Sequence, residues 1–310
     1  MIRLFDLPHA RAVATLAAGA TVHVPVNPVE FHGRHLSLRN DHHVSMGLAR
    51  DLHARRSPGE DLVATHDLEL GVNPAAGRGS RFTPFLTARA AVLTACDALV
   101  ELGARRVIFA TFHGDPLHNL AIDAGVQRLR ARGVDAVSPF NALLQSMLTL
   151  DPSRFSEAVA HVDDEAERAA LLHGLALDFH AGFFETSLAL HYAPETVDPS
   201  YVDLAPCPSY PPHAAFDLAA RAAARLGRAR LAAELRFAAW GTAWKAVAPR
   251  AGGYTGAPHR ATAAAGRVFA DAIVDLYAEA VAQTFSHAAA PPAPILAWVG
   301  GATLGGRITV

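Results

Sequence analysis

Cysteine is nearly absent: Cys96 and Cys207 are the only two in 310 residues, which excludes a disulfide framework and suits a reducing compartment. Concentrated basic charge is missing as well. Lys and Arg total 27 against 29 Asp and Glu, for a formal net charge of −2, so nothing supplies the phosphate-neutralising block that nucleic-acid binding depends on. No apolar run approaches the roughly 18–20 residues that span a bilayer. The mildly apolar stretch from Ala12 to Val26 lacks a basic leader and contains His23 and Pro25, so it does not read as a secretory signal. These absences leave a cytoplasmic protein that acts on a small molecule, with neither nucleic acid nor membrane as a partner.

What is present is ample material for one large core. Hydrophobic residues make up 51% of the chain, enough to fold without a disulfide or a partner subunit. Strands alternate with helices. Thr21–Val26 reads as a strand, and Asp41 as the cap of a helix from about His42 to Arg55, with Val44, Leu48 and Leu52 at helical spacing. Leu62–Thr65 is a second strand. Thr87–Leu102 is an Ala-rich helix closed by Gly103, Arg106–Thr111 a buried strand, Leu117–Arg132 a helix ended by Gly133, and Val134–Val137 a further strand. This rhythm predicts an α/β fold in three layers, a mostly parallel central sheet flanked by helices. A helix opens at Asp163-Asp164-Glu165, where first-turn carboxylates favour the macrodipole. Beyond a Pro-punctuated connection, the Ala-, Leu- and Arg-rich stretch 214–239 predicts one or two helices over the core, broken at Gly227. The last helix covers about Arg260 to Ala282, and Pro291–Val299 is an edge strand or an extended tail. The expected organisation is a single domain over 1–310, with a helical insertion at about 205–248 and a C-terminal tail at about 283–310.

Three segments carry chemistry, and ligands in parallel sheets gather at the carboxyl ends of strands. The first strand stops in a loop holding Glu30, His32 and His35, followed by Asp41. Glu30 and His32 are two apart and share a side in extended chain. A mixed carboxylate and imidazole set suits Zn²⁺, Mn²⁺ or Fe²⁺, with His42 and His43 as helix-start or supporting residues. In the second segment, Thr111–Pro116, His113 and Asp115 repeat the two-apart spacing at the end of a buried strand; Asp115 reads equally as an N-cap with Pro116 behind it. His118 reads as a residue of the helix surface or as a support beside the ligands. In the third, Asp178–Ser187, His180 precedes two small residues and Glu185 lies one short helical turn on, as an acid/base pair or as a buried His beside a helix start.

Taken in order, these segments resemble the creatininase (creatinine amidohydrolase) family. The likeness rests on Gly19–Val26 leading to Glu30, His32, Gly33, His35 and Asp41, on the turn Phe112–Pro116, and on the intact signature His180-Ala181-Gly182 with Glu185-Thr186-Ser187. Gly252–Pro258 with Ala261-Thr262 adds a looser fourth match. The resemblance implies two divalent metal ions, one held by Glu30, Asp41 and His113, the other by His32, Asp41 and Asp115, with Asp41 bridging and Glu185 as the substitute if Asp115 does not serve. It further implies a homo-oligomer, a hexamer in the family, that hydrolyses a cyclic amide or another C–N bond. Two metals would activate water and polarise the carbonyl, while His180 passes a proton to the departing nitrogen, oriented by Glu185 or Asp178.

Departures from the family pattern bear on the substrate. Asn27-Pro28, Phe31 and Arg34 rebuild the first loop, Gly114 and Phe179 replace family side chains, Gly77–Pro84 stands where a family turn is expected, and no Trp occurs between Asp41 and Trp240 to form an aromatic lid. Creatinine is therefore not the expected substrate. Arg78 and Arg81 read as surface residues. Two other classes stay open: a biosynthetic tailoring or peptide-processing metalloenzyme of the same fold, and a non-catalytic metal-binding member.

Overall fold

Five short strands, all paired in parallel, form the sheet of the computed structural model, which describes residues 1–308. In chain order the elements are β1 (Ile2–Arg3), α1 (His9–Ala17), β2 (Thr21–Pro25), α2 (Asn40–Arg56), β3 (Val63–Ala64), α3 (Phe85–Leu102), β4 (Arg106–Ala110), α4 (Pro116–Ala131), β5 (Asp135–Val137) and α5 (Phe140–Met147). There follow α6 (Glu165–Gly174), α7 (Phe183–Tyr192), α8 (Ala214–Arg225), α9 (Ala229–Val247), α10 (Ala263–Phe285) and α11 (Trp298–Ala302). The strand order is β1-β3-β2-β4-β5, so β2 and β4 are neighbours, with Thr21 opposite Arg106 and Pro25 opposite Ala110.

The alternation of side chains along a strand divides the core into two. Val22, Val24, Val107 and Phe109 pack under α1, α3 and α4 with Leu16, Val92, Leu99 and Ile122. Ile108 and Val137 face the opposite layer, where Leu48, Leu188, Phe269 and Ile273 bring in α2, α7 and α10. The three layers expected from the sequence are thus present, and α1 and β1 extend them on the N-terminal side. Glycine closes α3 at Gly103 and follows α4 at Gly133, both with positive φ. At Gly266 on α10 the absence of a side chain lets α7 approach: a Cβ there would sit 1.9 Å from the Ser187 carbonyl oxygen.

Three local expectations need correction. Asp41 does not cap α2; the helix begins one residue earlier, after Arg39, and Asp41 lies buried in its first turn. Its carboxylate is turned inward toward His32, 3.1 Å away, and is not spent on the helix end. No strand forms over Pro291–Val299. That segment instead buries Ile295 and Leu296 in the core and ends in α11. His118 is not on a surface: it is 1% exposed beneath the site, with its ring edge-on to His113. No helix among the described residues is long and apolar enough to cross a membrane.

Candidate metal centre

The ends of β2 and β4 are stitched together by Asn27, which is wholly buried. Its amide donates to the Ala110 carbonyl (3.3 Å), while its carbonyl accepts from the Phe112 N–H and from the Ser45 hydroxyl of α2, each at 3.2 Å. Asn27 is therefore a clamp and not a part of a rebuilt rim. From this anchor the loop after β2 carries Glu30 and His32 under the sheet edge, α2 supplies Asp41, the loop after β4 supplies His113, and the turn into α7 supplies His180 and Glu185. All six side chains are at least nine-tenths buried.

Each of the three imidazoles is oriented by a backbone carbonyl, which can only accept. His32 Nδ1 donates to Glu30 O (3.1 Å), His113 Nε2 to Val72 O (2.9 Å) and His180 Nε2 to Phe31 O (2.9 Å). The remaining nitrogen of each ring is thereby turned onto carboxylates. His32 Nε2 lies 3.1 Å from Asp41 Oδ1 and 3.7 Å from Glu185 Oε2; His113 Nδ1 lies 2.9 Å from Glu30 Oε2 and 3.7 Å from Asp41 Oδ2; His180 Nδ1 lies 4.0 Å from Glu30 Oε1. A lone pair facing a carboxylate at these distances is repulsive unless a proton or a cation lies between them. While each ring carries its one proton on the carbonyl-bound nitrogen, Glu30 Oε2 and Asp41 Oδ2, both buried, accept no hydrogen bond. Ligand atoms of Glu30, His32 and Asp41 fall within 4.8 Å of one another, as do those of His32, His180 and Glu185. A carbonyl behind each imidazole and carboxylates in front is the arrangement that fixes the tautomer of metal-bound histidine, and the N/O donor set fits Zn²⁺, Mn²⁺ or Fe²⁺.

The charges of this cluster are mutually dependent. Burial works against a charged His32 and His113, but the facing Asp41 and Glu30 carboxylates outweigh it and push them up to about 10 and about 9. Glu185 is pushed up to about 8 by burial, with further repulsion from Asp41 and Glu30. His180 moves the other way, down to about 3, through burial and then the charge of the stacked His32 ring, whose centroid is 4.3 Å away. Without a cation the cluster takes up protons to remain buried; a cation would displace them.

The turn into α7 is held in a strained form. Ala181 has φ +49°, the left-handed region. Its N–H donates to Glu185 Oε2 (2.7 Å), and its carbonyl accepts from the Thr186 hydroxyl. Below it the buried Asp178 accepts from the Phe184 N–H and the Thr255 hydroxyl, each at 2.9 Å. A Cβ on Gly182 would stand 1.6 Å from Asp178 Oδ1, so the turn requires glycine. Asp178 thus braces the turn, and it is the Phe31 carbonyl that orients His180.

The expected residues do not all converge. Asp115 is the N-cap of α4, its Oδ1 accepting from the N–H groups of Leu117 and His118, while Oδ2 accepts from Asn73 and lies 3.8 Å from Lys245 Nζ. Neither close-set group of ligand atoms includes Asp115 or His113, but His113 Nδ1 stands 2.9 Å from Glu30 Oε2, whereas both Asp115 oxygens are taken up at the start of α4. His35 bonds Thr186 (2.9 Å) and ties the first loop to α7, whereas His42 pairs with Asp67 at 2.7 Å. Arg81 reaches Glu69 on the surface. Sequence reasoning missed Trp244, whose ring packs 4.8 Å from that of His180 and whose Nε1 donates to Tyr254 O. An aromatic wall is therefore present, supplied by α9 from the insertion; nothing in the local sequence of an Ala-rich helix announces which face meets the site.

Imidazoles and carboxylates thus gather, buried, at the carboxyl edge of a parallel α/β sheet as a candidate metal centre. The family model described as creatininase, creatinine amidohydrolase, matches residues 7–281. The chain belongs to the creatininase family. Among solved structures, a creatinine amidohydrolase (creatininase) is similar at 21% identity, covering 91% of this chain and 96% of that one with a TM-score of 0.60. A manganese form of creatininase gives 20%, 91%, 97% and 0.60 for the same quantities. A creatinine amidohydrolase described as putative, from Bacteroides fragilis, gives 21%, 85%, 89% and 0.52. At these identities the likeness shows the fold. No curated protein matches.

Proposed function

We propose that this chain is a metal-dependent amidohydrolase that cleaves a cyclic amide or another non-peptide C–N bond of a small molecule other than creatinine. The observation that carries the reading is the set of three carbonyl-anchored imidazoles whose other nitrogens are turned onto buried carboxylates. Glu30, Asp41 and His113 would hold one divalent ion. His32 and Asp41 would hold the second, with Glu185 in the place first expected of Asp115, whose oxygens are engaged at the start of α4. Bound there, Zn²⁺, Mn²⁺ or Fe²⁺ would supply Lewis acidity toward a carbonyl and lower the pKa of water.

The chain's own groups do the rest. His180 is neutral, its Nε2–H fixed on Phe31 O, so Nδ1 is the free acceptor over the cluster. There it would take the proton lost by the attacking water and pass it to the nitrogen as the C–N bond breaks. Glu185 holds the Ala181 turn and with it the position of the ring. Trp244 packs against the same ring. The free thiols agree with a cytoplasmic setting, and we carry over the homo-oligomer, a hexamer, from the family resemblance.

The test is a panel of cyclic amides, linear amides and dipeptides offered to enzyme stripped by chelator and reloaded with Zn²⁺, Mn²⁺ or Fe²⁺. Metal-dependent release of amine from the non-peptide amides is the expected result. Cleavage confined to dipeptides, or no cleavage in any metal form, refutes the proposal.

A further inference from the structure

A cavity of about 420 Å³ opens directly from the metal centre, with Glu30, His113, His180 and Glu185 in its floor. Its walls are almost wholly apolar. Phe140, Leu144 and Met147 come from α5, Phe237 and Trp244 from α9, and Trp298 from α11. Among the described residues Lys245 is the only Lys or Arg in the lining, half exposed and beside Asp115. A hydrolase for a small polar ring needs no such volume: an apolar cavity of roughly 150 Å³ already accepts a benzene. The walls come from three separate elements, two of them outside the sheet layers, so the apolar surface is not the by-product of one amphipathic helix left unpartnered.

We propose that this cavity is the specificity pocket, and that the substrate is an amide bearing a bulky apolar group, larger than a single aromatic ring, seated against Phe140, Leu144, Met147, Phe237 and Trp298 while the C–N bond lies over the metal centre. This deepens the hydrolytic reading and rests on it for the word substrate; the pocket's choice of ligand does not. Transfer of apolar surface from water drives the recognition, at about four-fold in affinity for each methylene buried.

Two of the three tryptophans, Trp244 and Trp298, line the cavity, which gives a readout independent of turnover. Metal-stripped protein is titrated with acetamide, butyramide, phenylacetamide and 4-phenylbutyramide, following tryptophan fluorescence and calorimetric heat. Affinity is expected to climb through the series, on the order of 1,000-fold from first to last. Phe237→Glu, which sets a carboxylate in the half-buried wall, is expected to flatten the gradient, and Phe237→Leu to keep most of it, with circular dichroism unchanged in both. Equal binding of all four amides, or a gradient that survives Phe237→Glu in a folded protein, overturns the pocket. With reloaded enzyme, kcat/KM follows the same order if both readings hold. Turnover of acetamide alone leaves the hydrolase standing and overturns the pocket, whereas graded binding without any turnover keeps the ligand class and removes the hydrolase.

Discussion

Removing the clamp between β2 and β4 separates the account's architecture from its chemistry. Asn27→Ala deletes one donor and one acceptor from a fully buried position, breaking the bonds to Ala110 O, Phe112 N and Ser45 Oγ. The partners are affected unequally. Ala110 O keeps the Val26 N–H and Ser45 can turn to the His42 carbonyl, but the Phe112 N–H is left without a replacement. A neutral buried hydrogen bond contributes about 1 kcal/mol, and an orphaned buried donor costs about 1–3 kcal/mol, so the substitution should destabilise by roughly 3 kcal/mol. With an unfolding entropy of about 2.1 cal/mol/K per residue, the 310-residue chain loses roughly 1.5 °C of Tm per kcal/mol, or some 4–5 °C in all. Calorimetry on the metal-free protein reads this directly. The same variant should bind metal more weakly, because Glu30 and His113 leave the two strand ends that Asn27 joins. A Tm within about 1 °C of wild type, which is under 1 kcal/mol by the same conversion, together with unaltered metal affinity, would refute the clamp.

Acid sensitivity and helix contact give further tests. His23 is 1% exposed within β2 and is held down to about 3, first by burial and then by the nearby charges of His53 and Arg56. Its unfolded value is 6.5, so the unfolded chain binds the proton first: stability is full above pH 6.5 and falls as pH drops toward about 3, by as much as ~5 kcal/mol at about 1.4 kcal/mol per pH unit. His23→Gln should flatten that part of a pH series of urea midpoints, and an unchanged slope would count against the buried neutral ring. Gly266→Ala forces α10 off the Ser187 carbonyl and should cost about 1–3 kcal/mol or more by overpacking; because α7 carries Glu185, metal affinity should drop as well, and a variant with wild-type Tm and affinity would contradict the close contact. Metal titration near pH 7 in two buffers of different ionisation heat should reveal proton release, since His32 and His113 are raised to about 10 and about 9 by facing carboxylates; heats independent of buffer would mean that the cation does not enter between those pairs.

The alternation of Val22, Val24, Val107 and Phe109, and the glycines after α3 and α4, made the sheet and its flanking helices readable from sequence, because period and turn chemistry are local. Glu30, His32 and His113 stand out as candidate ligands for the same reason, each following a strand end by a few residues, whereas Asp41 comes from the first turn of α2. What escaped depends on distance in the chain. Asn27 was read as a change in the rim because its partners, Ala110 and Phe112, lie more than 80 residues away. Asp41 reads as a cap by residue type, yet its carboxylate faces His32. Trp244 reaches His180 only because α8 and α9 fold over the site, and no pattern inside an amphipathic Ala-rich helix specifies the neighbour of its inner face.

The central claim, that this cluster binds metal with Asp41 shared between two positions, is tested most directly by elemental analysis of wild type and of Asp41→Ala, each loaded with Zn²⁺, Mn²⁺ or Fe²⁺ and freed of excess. The account predicts between one and two equivalents in the wild-type protein and loss of both in a folded Asp41→Ala protein. Retention of wild-type stoichiometry by that variant would contradict it.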